Sequence, residues 1–112
     1  WTAADFNGDG ADELLITSPW GIGVLELVGN KMNSIMLKPN GTRFGGWLLN
    51  TKDNRFRRFK DLTGKAKANL LVESPWGIGI FSLNDTTFDV PMMAPNGTRF
   101  GGWRLNTNDN LL

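Results

Sequence analysis

Residues 18–23 read Ser-Pro-Trp-Gly-Ile-Gly, and residues 74–79 read the same six amino acids again. The nine residues 39–47, Pro-Asn-Gly-Thr-Arg-Phe-Gly-Gly-Trp, return unchanged at 95–103. The offset is 56 positions in both cases, and the 112-residue chain is twice that length. The same offset aligns Asp5 with Asp61, Gly8 with Gly64, Leu14-Leu15 with Leu70-Leu71, and Asn50-Thr51 with Asn106-Thr107. About half of all positions are identical, and self-similarity at a period of tens of residues marks stacked or circular architectures. The units are residues 1–56 and 57–112. They form one domain, because a chain this long holds one ordinary core.

Strand signals fill the second unit. Residues 55–60 and 69–73 read as strands on either side of the turn-rich Asp61-Leu62-Thr63-Gly64. In residues 76–81 glycine alternates with large apolar residues, a period of two that places bulk on one face and close backbone packing on the other. Residues 86–93 supply a fourth strand after a turn at Asn84-Asp85, and Asn96-Gly97 opens a long connection through Gly101-Gly102-Trp103. Four short strands per repeat is the make-up of one propeller blade. The expected fold is all-β, with two four-stranded antiparallel blades per chain, completed by oligomerisation. A single sandwich of two hairpin pairs is the alternative.

Composition narrows the function. With no histidine and no cysteine, the chain lacks the commonest general base, thiol nucleophiles and thiolate metal sites. Its 14 glycines and five tryptophans suit short strands and tight turns. A net charge of +1 gives no overall field for nucleic acid, and no apolar run reaches membrane-spanning length. The basic stretch around Arg57 and Arg58 has the uncharged residues Trp1-Thr2-Ala3-Ala4 as its counterpart and reads as a solvated strand face. Neither nucleic-acid binding nor membrane insertion is expected, and the chain reads as a binding protein rather than an enzyme.

Residues 5–13, Asp-Phe-Asn-Gly-Asp-Gly-Ala-Asp-Glu, offer side-chain oxygens from Asp5, Asn7, Asp9 and Glu13, with Gly10 permitting the sharp turn. With the Ala11 carbonyl, these form the donor pattern of a calcium loop. The second unit has Asp61, Thr63, Lys65 and Asn69 at the equivalent positions, so calcium is expected in the first repeat only. A metal-free Asx-turn is the competing reading.

Four tryptophans fall at equivalent places beside glycines, Trp20 with Trp76 and Trp47 with Trp103. An exposed indole stacks on the C–H face of a sugar while neighbouring polar groups bond its hydroxyls. Trp47 and Trp103 are the favoured carbohydrate contacts, supported by Arg43, Asn50 and Asp53 in one unit and Arg99, Asn106 and Asp109 in the other. A wedge between sheets is the other role open to each indole. Asn40-Gly41-Thr42, Asn84-Asp85-Thr86 and Asn96-Gly97-Thr98 fit the glycosylation acceptor pattern but read first as turns.

The order Gly45-Gly46-Trp47, residues 57–60, Asp61-Leu62-Thr63-Gly64, residues 70–72 and residues 76–81 resembles the Psathyrella velutina lectin type of propeller, related to FG-GAP and integrin-like calcium repeats. The likeness covers both units, although Ser-Pro-Trp-Gly-Ile-Gly stands where that family usually carries a Gly-Phe-Gly-type tract. It implies a closed ring, calcium on some strand-connecting turns, and pockets between blades for N-acetylglucosamine- or fucose-type glycans. It also implies a secreted or extracellular setting. A protein-interaction scaffold without sugar binding is the alternative function. Strand residues 53–60 have as counterparts the two chain ends, so copies are expected to meet end to start in a cyclic trimer or tetramer. An excerpt from a longer propeller would also fit.

Overall fold

The computed structural model describes residues 2–109 and contains strands and turns without helix among them. Strands β1 (Thr2–Ala4), β2 (Glu13–Ser18), β3 (Gly21–Val28) and β4 (Lys31–Pro39) form one antiparallel sheet in chain order. Two short strands follow, β5 (Arg43–Phe44) and β6 (Trp47–Leu48), paired as a hairpin. The second repeat copies this plan. Strands β7 (Arg55–Phe59), β8 (Asn69–Ser74), β9 (Gly77–Asn84) and β10 (Thr87–Pro95) form the second sheet. The hairpin of β11 (Arg99–Phe100) and β12 (Trp103–Arg104) follows.

The repeated hexapeptide makes the tight hairpin between the second and third strands of each sheet. Ser18 pairs with Gly21 and Ser74 with Gly77, so the Pro-Trp dipeptide is the turn. Glycine is required where that turn closes. A Cβ on Gly21 would lie 2.2 Å from the Lys38 carbonyl oxygen, and one on Gly77 would lie 2.2 Å from that of Ala94. Trp76, read from the sequence as the start of a strand, therefore sits in the turn, and β9 begins one residue later. The long connections hold short strands of their own. Each carries a two-residue ladder, Phe44 opposite Trp47 and Phe100 opposite Trp103.

The core lies between the sheets. Ala4, Phe6, Leu15, Val24, Phe44 and Trp47 of the first repeat meet Leu70, Val72, Phe81, Leu83 and Phe88 of the second. Phe44 lodges edge-on against Phe81 and Phe88, with ring centroids 5.7 Å from each. At the other margin β1 lies beside β7, where the Ala68 amide donates to the Asp5 carbonyl at 2.7 Å and Arg58 donates to the Ala3 carbonyl at 3.0 Å. Leu14 and Leu70 are equivalent in sequence but differ in burial, because only the Leu70 face is covered.

The basic stretch is more than a solvated face. Arg55 and Arg57 reach the carboxylate of Glu73, itself 1 % exposed, at 3.5 and 3.3 Å. The division between residues 56 and 57 falls inside β7. The expectation that Leu111-Leu112 and Trp1 belong to a strand shared between chain ends lies outside the described residues.

Candidate functional site: an acidic turn and an indole platform

Loop 5–13 is folded by its own side chains. Both oxygens of Asp5 accept backbone N–H groups, Gly8 and Asp9 on one and Gly10 on the other, at 2.9 to 3.1 Å. Asn7 accepts from the Asp9 amide and Asp9 from the Ala11 amide. Glu13 reaches back to accept from Phe6 at 2.8 Å and Asn7 at 3.1 Å. Gly8 and Gly10 supply the left-handed conformations, at φ 79° and 91°. The result gathers oxygens of Asp5, Asp9 and Glu13 within 4.8 Å of one another.

Electrostatically this cluster is unbalanced. Burial pushes the Glu13 carboxyl above its usual value, the amides of Asn7 and Phe6 pull it back, and the negative charges of Asp9 and Asp5 push it up further. Three converging carboxylates with spare lone pairs are a donor set for a hard divalent cation, which takes oxygen ligands in flexible geometry. Asn7 and Ala11 lie in the same turn, both exposed.

The second loop keeps the scaffold and loses the charge. Asp61 accepts from Gly64, Lys65 and Ala66, and these bonds, Ala66 foremost, hold its carboxyl below the usual value against the opposing effect of desolvation. Asn69, in the place of Glu13, accepts from Leu62 and Thr63. Among the described residues neither its Nδ2 nor the Thr63 hydroxyl has a hydrogen-bond partner. The turn thus holds its shape without clustered carboxylates.

The tryptophans divide into two kinds. Trp47 is wholly buried, against the expectation that it stacks on sugar. Its indole N–H donates to Asn54 Oδ1 at 3.1 Å, its ring meets Phe81 edge-on, and its ring carbons lie against Gly79. It is the wedge between the sheets, and a ligand has no access to its faces. Trp76 rests on it, with ring centroids 4.5 Å apart, and stays 42 % exposed. Trp20, the equivalent of Trp76, is 56 % exposed, and Trp103, the equivalent of Trp47, is 61 % exposed.

Polar residues fasten the Pro-Trp turns to the long loops. Asn40 Nδ2 donates to the Pro19 carbonyl and to Thr51 Oγ1, and Thr51 donates onward to the Ser18 carbonyl at 2.6 Å. Asn96 and Thr107 repeat this on Pro75 and Ser74. The Asn40 and Asn96 side chains are therefore structural, as the turn reading has it. Asn50 donates to Asp53 at 3.1 Å and Asn106 to Asp109 at 3.0 Å, each pair closing an exposed turn. Arg43 and Arg99 are exposed at the starts of β5 and β11, opposite Leu48 and Arg104.

In the second repeat these loops border an open polar recess of about 470 Å³, lined by Asn96, Gly97, Arg104, Leu105, Asn106 and Asp109. The Asn96 amide donates to the Trp76 carbonyl at 2.6 Å, which joins the recess to the turn that presents the exposed indole. Asn106 and Asp109 were expected at a site. Arg104 was not, because its repeat equivalent is Leu48 and an argument from paired positions passes over it. No protein-family profile, curated protein or solved structure matches the chain.

Proposed function

We propose that this chain is a carbohydrate-binding module of the propeller type, with a sugar stacked on Trp76 and its hydroxyls bonded from the adjoining recess. The observation that carries this reading is the pairing of a half-exposed indole with a polar recess through the Trp76–Asn96 bond. Ligand sites combine an apolar platform with a few convergent polar groups, and the recess lies within their usual range of about 300–1,000 Å³. Arg104 and Asp109 supply a cationic donor and an anionic acceptor, a set suited to vicinal hydroxyls or an acetamido group. Trp20 offers the equivalent platform beside Asn50 and Asp53. N-acetylglucosamine- and fucose-type glycans are the first ligands to try. Calcium bound by Asp5, Asp9 and Glu13, with Asn7 and the Ala11 carbonyl completing its shell, would stiffen a turn remote from the recess.

A glycan array followed by calorimetry with the free sugar tests the proposal. Binding that is abolished in Trp76→Ala and weakened in Asp109→Ala supports it. Absence of binding to any glycan, or affinity unchanged in a folded Trp76→Ala variant, overturns it in favour of a protein-interaction scaffold.

A further inference from the structure

The two sheets bury one face each and leave one face each uncovered. On the first sheet the uncovered face carries Leu14, Ile16, Leu25, Leu27 and Met32. Their repeat equivalents, Leu70, Val72, Phe81, Leu83 and Phe88, form the half of the core that receives Phe44 and Trp47. Beyond the second sheet, the β11–β12 hairpin carries Phe100 and Trp103, the exposed equivalents of Phe44 and Trp47. The molecule thus shows a receiving face at one end and the matching inserting face at the other. Both halves of its own internal interface are present a second time, each exposed at its outer surface.

We infer that the occupant of each free face is a second copy of this chain, docked head to tail so that its contact continues the internal interface. Trp103 of one copy lies over Gly23 of the next, as Trp47 lies over Gly79, and Phe100 lodges between Leu25 and Met32, as Phe44 does between Phe81 and Phe88. Equivalent glycines give both seats a bare backbone. Trp20 of the second copy then rests on Trp103, as Trp76 rests on Trp47, and stays half-exposed.

Two small asymmetries match this arrangement. Met93 lies against Gly46, its Cε 2.8 Å from where a Cβ would stand, while the space at the equivalent Gly102 is open. Leu37, the equivalent of Met93, instead folds over Gly23, its Cδ2 2.9 Å from the corresponding point, and covers the empty seat. On docking, Leu37 swings out to Gly102 of the neighbour and releases Gly23 for the incoming indole. Burial of Leu27 marks the change most directly: it is 64 % exposed, whereas its equivalent Leu83 is 2 % exposed. Such an interface is heterologous, joining unlike surfaces, so it propagates until the copies close into a ring or the array runs out of chains. The inference uses only the apolar faces and is independent of the sugar-binding proposal.

Sedimentation velocity or native mass spectrometry of the 112-residue chain tests it, without sugar and with a chelator present. The expected result is a species that is a multiple of 12.4 kDa at micromolar concentration. Trp103→Asp removes the inserting face and Met32→Asp charges the receiving face. Each variant alone is expected to run as a monomer, with its near-ultraviolet circular dichroism showing a packed core. Mixed, they are expected to form a one-to-one dimer and nothing larger, because one intact face of each kind remains. A wild-type chain that stays monomeric overturns the inference whatever the variants do. So does wild-type assembly that survives in both folded variants, or a mixture that forms no dimer.

Discussion

A Cβ placed on Gly79 would stand 3.0 Å from two ring carbons of Trp47. The strand and the indole are in contact with no side chain between them, and this contact fixes the spacing of the sheets. Interiors are packed at crystal-like density, so even one methyl group is felt.

Gly79→Ala should therefore destabilise the fold by about 1–3 kcal/mol, the usual cost of overpacking a core. Gly102→Ala, with open space around it within the single chain, should leave the monomer within about 0.5 kcal/mol of the parent. Urea denaturation of the two variants in parallel measures the difference, and equal midpoints would show that Trp47 yields freely.

Trp47→Ala removes the largest buried side chain and leaves Asn54 Oδ1 without its indole donor. A loss of about 3–5 kcal/mol is expected, enough to unfold a chain of this size. Trp76→Ala should cost far less, because its ring is already partly in water. Thermal melts of the two variants separate the wedge from the platform.

Ala66 holds φ 59° at the position where the first repeat has Gly10. An L-residue in that region carries about 1–2 kcal/mol of strain. Ala66→Gly should raise stability by about 1 kcal/mol once the added freedom of the unfolded chain is subtracted. Gly10→Ala should lower it. Chemical denaturation of both variants checks the sign at each site.

Glu13 makes stability depend on pH in a stated direction. Its folded pKa lies above the usual 4.5, so the folded state holds this proton more tightly than the unfolded chain does. The favourable contribution is present below the unfolded value and is lost as pH rises through the folded one. In chelator, Glu13→Gln should therefore melt higher than the parent at pH 7, and the gap should close near pH 4 as the parent's carboxyl protonates. Glutamine keeps an acceptor for Phe6 and Asn7, as Asn69 does in the second loop. Added calcium should raise the melting point of the parent and much less that of the variant. Asp61, with its carboxyl held low, acts with the opposite sign and loses its contribution as pH falls.

The sequence disclosed the strands well because glycine spacing and the repeat register are local and periodic. Strand β8 was read at 69–73 against an observed Asn69–Ser74, and the Asn84-Asp85 turn fell where Asp85 adopts φ 60°. Residues whose role depends on what stands opposite were not legible. Trp47 and Trp103 share their Gly-Gly-Trp context, and nothing within that tripeptide tells which one a second sheet covers. Glu73 gave no signal as an anchor, because its equivalent is Thr17 and its partners come from another strand. The recess was half visible, since Asn106 and Asp109 keep the repeat while Arg104 departs from it.

The likeness of the two halves also shapes how the chain acquires its structure. While the polypeptide is still open, the bare backbone at Gly79 is offered two indoles in the same Gly-Gly-Trp setting, and the wrong one, Trp103, is nearer along the chain. Closing the shorter loop sacrifices slightly less freedom, so chance encounters favour the incorrect partner before the sheets are complete. Repeated sequences are prone to such exchanges within and between molecules. Recovery from denaturant should accordingly slow through a search among interchangeable partners and yield less native protein as concentration rises.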